Sequence, residues 1–336
     1  MWTARKMAVL CLMCSFLITE SCMEKINIAT PSVTSSDVKV TASMPVTIQA
    51  ITPQSSSTPK SDLADEDKIL SRLSSGQYLV YNSDMLYAIS TTDNTSIVLA
   101  ESLDPRRVSL TFAVNGQFIA YQYFETLKLK IVNIDSHQSK EFDLNEECES
   151  MSLSSDGRWI ACGVGSIYIY SLVDGEKFWL IPHNSEENLR FAWYGPAFSP
   201  DNKWIAYREL SLGYNKTAKD GLYLTSTDCL NNDNLCEEYI RGPFLGSIDL
   251  YEPFAWSPDG MQIAIITPET IIIFNTLTLD VFTLASHSLA LDVAWSPDGE
   301  WIAFTGDGVN IISSKGGESP LKINDYSGRI GWIKIP

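Results

Sequence analysis

Trp295-Ser296-Pro297-Asp298-Gly299-Glu300-Trp301-Ile302-Ala303-Phe304 is the stretch that decides the fold. An apolar run ends in Trp, a four-residue turn follows, and a second apolar run begins. Each turn residue has a physical reason to be there. Proline presets φ for the first corner of a type I turn. The Asp carboxylate can accept from nearby backbone N–H groups, and Gly takes the left-handed position that closes a three-residue hairpin with a bulge. The phrase therefore reads strand–turn–strand.

The phrase recurs. Trp256-Ser257-Pro258-Asp259-Gly260 runs into Ile263-Ala264-Ile265, and Phe198-Ser199-Pro200-Asp201-Asn202 runs into Trp204-Ile205-Ala206-Tyr207. Asn202 replaces Gly there, and Asn is the side chain that best tolerates the left-handed region. Further copies are Leu153-Ser154-Ser155-Asp156-Gly157, Phe112-Ala113-Val114-Asn115-Gly116 and a worn Ser74-Ser75-Gly76 leading to Tyr78-Leu79-Val80-Tyr81. The turn residues 76, 116, 157, 202, 260 and 299 are separated by steps of 40, 41, 45, 58 and 39. Repeats of about 40–45 residues with strand–turn–strand texture indicate propeller blades rather than a helical solenoid.

Each repeat continues with a third strand of alternating bulky residues, such as Ile167-Tyr168-Ile169-Tyr170 or Ile271-Ile272-Ile273-Phe274. A fourth follows, such as Lys177-Phe178-Trp179-Leu180-Ile181 or Asp280-Val281-Phe282-Thr283-Leu284. Period-two patterning between Gly, Asp and Asn turns is the antiparallel signal. The first repeat lacks a strand ahead of its turn, while the chain ends in Arg329-Ile330-Gly331-Trp332-Ile333, with Trp332 at the Trp295 position. The C-terminal strand is thus expected to pair into the first blade and close the ring, removing an exposed seam. The expectation is an all-β, six-bladed β-propeller of four-stranded antiparallel blades over residues 67–336.

The Trp-Ser-Pro-Asp-Gly phrase followed by hydrophobic-Ile-Ala-aromatic resembles the TolB-like, WD-like β-propeller repeat across everything beyond about residue 70. The resemblance implies the fold. It does not imply an activity, because this repeat type serves scaffold proteins, peptidase propeller domains and lipoproteins alike.

Upstream, Arg5 and Lys6 precede the apolar run Met7 to Ile18, too short to span a bilayer but suited to a secretory signal in residues 1–22. Thr19-Glu20-Ser21-Cys22 resembles a lipoprotein signal in which Cys22 becomes lipidated; the alternative is an ordinary cleaved signal with Cys22 incidental. Residues 23–66, rich in Ser, Thr and Pro, have no apolar face to bury and read as a disordered linker. The expected location is outside the cytoplasm, membrane-anchored through Cys22, or alternatively secreted or periplasmic.

The formal net charge is −17, with 24 basic against 41 acidic residues. That excludes nucleic acid as the expected partner and direct docking on anionic lipid, so membrane contact is expected only through the lipid anchor. Of the seven cysteines, four lie in the body and form two local pairs. Cys229 and Cys236 are expected to face each other across a hairpin between third and fourth strands. Cys148 and Cys162 are expected on the first and second strands of another blade. Four free thiols are the alternative.

Catalytic motifs are absent from the body of the chain: no Gly-x-Ser-x-Gly, no His-Glu-x-x-His, no Cys-x-x-Cys outside the signal region and no phosphate loop. His137, His183 and His287 fall in separate polar connections. Asp156, Asp201, Asp259 and Asp298 are explained by the turn, and the repeat Trp and Phe residues by the core between blades. No cofactor or metal is expected. The 58-residue step departs from the repeat, holding Arg208 to Asp220 with Tyr214 and Lys216, and later Arg241 and Phe244. A smaller excursion, Pro182 to Tyr194, carries Trp193 and Tyr194. These seven residues (Arg208, Tyr214, Lys216, Arg241, Phe244, Trp193 and Tyr194) form the candidate binding loop, extra residues in a propeller being displayed at its rim. The expected function is a monomeric, non-enzymatic scaffold binding a protein or peptide, or a polysaccharide. The alternatives are a hydrolase, lyase or peptidase-gating propeller acting at the central channel, and a purely structural envelope protein.

Overall fold

The computed structural model describes residues 75–82, 85–91, 96–100, 108–163, 165–181, 191–211, 221–231, 240–241, 253–287 and 290–336. All belong to one compact unit, Pro59–Pro336. The signal, Cys22 and the linker lie outside the described residues.

The first blade holds β1 (Gly76–Asn82), β2 (Leu86–Ser90) and β3 (Ser96–Ala100). The second holds β4 (Val108–Phe112), β5 (Phe118–Tyr123), β6 (Lys128–Asn133) and β7 (Gln138–Asp143). The third holds β8 (Ser150–Leu153), β9 (Trp159–Gly163), β10 (Ile167–Ser171) and β11 (Lys177–Ile181). The fourth holds β12 (Phe191–Phe198), β13 (Trp204–Ser211), β14 (Gly221–Ser226) and the two-residue β15 (Ile240–Arg241). The fifth holds β16 (Phe254–Trp256), β17 (Gln262–Ile266), β18 (Thr270–Asn275) and β19 (Val281–Ser286). The sixth holds β20 (Asp292–Trp295), β21 (Trp301–Thr305), β22 (Val309–Ser313) and β23 (Leu321–Asn324). The last strand, β24 (Ile330–Ile335), joins the first blade, giving six four-stranded antiparallel sheets. Its register, Leu79↔Trp332 and Tyr78↔Ile333, is the ring closure expected from the sequence.

The Ile-Ala pair of each second strand explains how the blades stack. Adjacent strand residues point to opposite faces, so a blade with neighbours on both sides must bury both. Ile302 packs with residues of the fifth blade, whereas Ala303 packs with those of the first. Ala120, Ala161, Ala206, Ala264 and Ala303 are all fully buried, the small side chain fitting where blades approach closely.

The turn chemistry is repeated in detail. Ser296 Oγ donates to Asp298 Oδ1 at 2.6 Å and accepts from Trp301 N at 2.9 Å, while Glu300 N donates to Asp298 Oδ1 at 3.0 Å. Serines 257, 199 and 154 make the same bond to Asp259, Asp201 and Asp156 at 2.6, 2.7 and 2.6 Å. Gly299 N closes the turn on Ser296 O at 2.8 Å with φ +74°. Asn202 occupies the equivalent place at φ +59°, and its Oδ1 accepts from Ser155 N of the preceding blade at 2.8 Å. A glycine could not make that bond. Gly76 differs from its expected role: with φ +145° it begins β1 and is not a left-handed turn residue.

Cys148 and Cys162 form a disulfide with Cα atoms 5.2 Å apart. Cys148 is not on the first strand, as the spacing suggested. It precedes β8, and the direct partner of Cys162 across the strands is Met151. Cys148 N donates to Gln122 Oε1 at 2.8 Å, so the connection from the second blade is held covalently and by a buried amide. Cys229 follows β14 in a 3₁₀ turn, Thr227–Asn231; its side chain and Cys236 lie outside the described residues.

Candidate functional site

The inner strands β4, β8, β12, β16, β20 and β24 line a central channel and all run in the same direction through their blades. Every repeat turn therefore lies at one mouth and every strand start at the other. Corresponding positions in the six blades form a ring at each mouth.

The turn mouth is ringed by Val114, Ser155, Pro200, Pro258, Pro297 and Lys334, each two residues beyond the last bulky residue of its inner strand, around a cavity of about 500 Å³. Prolines occupy this ring because the turn demands them. The carboxylates behind them are structural. Burial alone would push the Asp298 carboxyl up, but bonds from the Ser296 hydroxyl, Glu300 N–H and the Gln77 amide outweigh it and hold the group below its ordinary value. Asp201 behaves alike, with Ser199 and Lys203 as its partners.

The opposite, connector mouth is ringed by Ser109, Ser150, Gly195, Pro253, Asp292 and Arg329, three residues before the same bulky positions. Only serine occurs twice here. Asp292 is 6% exposed. Its Oδ1 accepts from Val293 N and its Oδ2 from Ile330 N of the next blade, both at 2.9 Å. Arg329 Nη1 stands 3.9 Å from Oδ1, with its side chain 41% exposed. Burial pushes the Asp292 carboxyl above its ordinary value, and Arg329 and the two N–H groups only partly offset this. Arg208 reaches the same channel from β13 and lies over the Tyr194 ring at 6.0 Å.

Between the mouths the channel holds about 150 Å³ and is floored by Phe198, Trp256, Trp295 and Trp332, all nearly buried. Trp256 Nε1 donates to Ala197 O at 3.0 Å and Trp332 Nε1 to Ala294 O at 3.3 Å, each tying its blade to the one before. Gly331 admits the Phe112 ring where a Cβ would overlap it.

The expected loop residues fare differently. Arg208 lies within β13 and is buried rather than starting a loop. Trp193 and Tyr194 belong to the inner strand β12 rather than to an excursion. The register there shifts between Tyr194 and Ala197, with Gly195 at φ +60°. Arg241 pairs opposite Leu224 on the outermost strand of the blade, away from the channel. Tyr214, Lys216 and Phe244 lie outside the described residues. The structure thus brings Arg208 and Tyr194 together and adds Asp292 and Arg329. Those two could have been found by aligning the repeats and reading the column three before the bulky residue, where only they are charged.

Among the described residues no group of three or more His, Cys, Asp and Glu side chains is placed to hold a metal ion, and no helix is long and apolar enough to cross a membrane. His287 Nδ1 accepts from Ala290 N at 3.0 Å.

Comparison with known proteins agrees with this architecture. Residues 280–310 match the WD domain, G-beta repeat (WD40). The sequence matches no curated protein significantly. Among solved structures, TolB from Acinetobacter baumannii superposes with a TM-score of 0.54 at 17% identity, covering 77% of this chain and 66% of that one, so the chain spans slightly under two thirds of that protein. A TolB-type structure from Agrobacterium tumefaciens gives 0.53 at 13% identity, covering 76% and 91%. A chain of a nidogen/laminin complex gives 0.56 at 10% identity, covering 76% and 98%. In fold, the chain is a TolB-like β-propeller that carries a WD40 repeat.

Proposed function

We propose that this propeller is a non-enzymatic binding scaffold, exported and tethered through a lipidated Cys22, that takes a protein or peptide partner at the connector mouth. The observation that carries the reading is the connector ring itself. Six equivalent positions that no repeat turn dictates include Asp292 and Arg329 side by side, over a channel floored by indoles. β12 begins and β13 ends at this mouth, with Phe191 and Ser211 at the two strand ends. The carboxylate of the ring, Asp292, is engaged by two backbone N–H groups and Arg329, which fits a fixed recognition element better than a proton carrier. A structural neighbour of the same fold comes from a complex of nidogen with laminin, in keeping with a propeller that meets a protein partner.

The test is affinity capture from envelope extract with wild-type chain, an Arg329→Gln bait and a Pro297→Ser bait. A partner held by wild type and Pro297→Ser but lost by Arg329→Gln supports the reading. A partner lost only with Pro297→Ser moves the site to the turn mouth, and no retained partner counts against a scaffold. Tethering is tested separately: Cys22→Ser is expected to move the protein from the membrane fraction to the soluble one.

A further inference from the structure

We infer that the connector mouth recognises a carboxylate, carried on an acidic segment of a partner chain, through the Arg329 guanidinium. The inference rests on the binding reading above and names the chemistry of its ligand. Asp292 and Arg329 are unequal partners: the carboxylate side chain is 9% exposed and the guanidinium side chain 41%. Both Asp292 oxygens are already held by backbone N–H groups at 2.9 Å. The 3.9 Å approach of Arg329 is far longer than the roughly 2.7–2.9 Å of a charge-assisted hydrogen bond. Asp292 therefore stands beside the guanidinium without engaging its fork. A planar fork turned toward an opening matches a carboxylate in bidentate fashion, which a lysine could not do.

The local charge agrees. Among the described residues the charged side chains that line this channel are Arg208, Asp292 and Arg329, in a protein of net −17. Size selects the source of the carboxylate. The channel holds about 150 Å³, short of the roughly 300–1,000 Å³ of pockets that enclose a whole small ligand. It has room for one side chain or chain terminus projecting from a partner that rests on the face, with Trp256, Trp295 and Trp332 closing the floor.

The experiment titrates the full chain with three probes: a fluorescein-labelled Glu-rich octapeptide with a free C-terminus, its Gln-substituted, C-terminally amidated counterpart, and glutarate. Anisotropy follows the peptides and indole fluorescence follows all three. The acidic peptide is expected to bind at least tenfold more tightly than the amide peptide. That margin should shrink with added salt, fall at least tenfold in Arg329→Gln, and persist in Pro297→Ser. Arg329→Lys, which keeps charge but not the fork, should fall between. Equal binding of the two peptides, unchanged binding in Arg329→Gln, or binding of glutarate without binding of the acidic peptide each overturns the inference. If the envelope partner is captured equally by wild type and Arg329→Gln, the scaffold reading stands and this inference fails. If neither a partner nor a peptide is retained, both fail. Circular dichroism of each variant separates lost binding from lost fold.

Discussion

The two mouths of the channel are made by the same six inner strands, yet one is shaped by a repeated turn and the other is not. At the turn mouth the position after Ser is Pro in three consecutive blades, Pro200, Pro258 and Pro297, because a type I turn wants it there. At the connector mouth the chain arrives from a neighbouring blade and no turn fixes the residue, so Ser, Gly, Pro, Asp and Arg all occur. Repetition marks positions the fold constrains. Variation over a constant frame marks positions that the repeat turn does not dictate.

Four changes would break or sharpen this contrast. The largest effect is expected from ending the chain at Gly328, which removes β24 and leaves β1 without its inner partner. The described hydrogen-bonded register from Gly76 to Tyr81 is lost, and cooperative thermal unfolding should disappear in calorimetry. Next, Cys148→Ser with Cys162→Ser should lower stability by about 3 kcal/mol in denaturant titration, the entropy model's value for a loop of this size, the two cysteines being 14 residues apart. Asp292→Ala strands two buried N–H groups and should cost about 2–4 kcal/mol. Ser296→Ala removes one hydroxyl from one of several equivalent turns and should cost about 1 kcal/mol.

The two mouths should also respond oppositely to pH. Asp292 keeps a proton in the folded chain that the unfolded chain has already released, from the ordinary carboxylate pKa of about 3.9 upward. Its contribution to stability therefore falls as pH rises through that window. Asp298, held below its ordinary value, contributes stability that is present above about pH 3.9 and is lost as pH falls through its lowered value. Thermal scans between pH 2.5 and 7 should show Asp298→Asn flattening the acid limb and Asp292→Asn flattening the opposite one. Two variants flattening the same limb would mean that the environments of the mouths are alike.

The sequence made the frame legible because a turn with a proline, a serine knot and a left-handed residue leaves a local signature, and because that signature fixed what Trp332 had to pair with. It was less informative wherever tertiary context overrode local pattern. Gly195-Pro196 interrupts the apolar run of β12, so Trp193 and Tyr194 read as loop, although a bulge carries the strand through. Arg208-Glu209 reads as a polar end, yet both are buried within β13. Cys148 lay close enough in sequence to reveal its partner but not that it stands outside the strand. Asp292 and Arg329 carried no motif; only their shared column in the repeat sets them apart.

The most direct test of the central claim places a photocrosslinking amino acid at Leu291, exposed beside Asp292, or at Gln117, exposed at the turn mouth, and irradiates each protein with envelope extract. The account predicts one partner crosslinked through position 291 and absent from position 117, with the product lost when Arg329→Gln is added. Crosslinking through position 117 instead, or a product at 291 indifferent to Arg329, would contradict it.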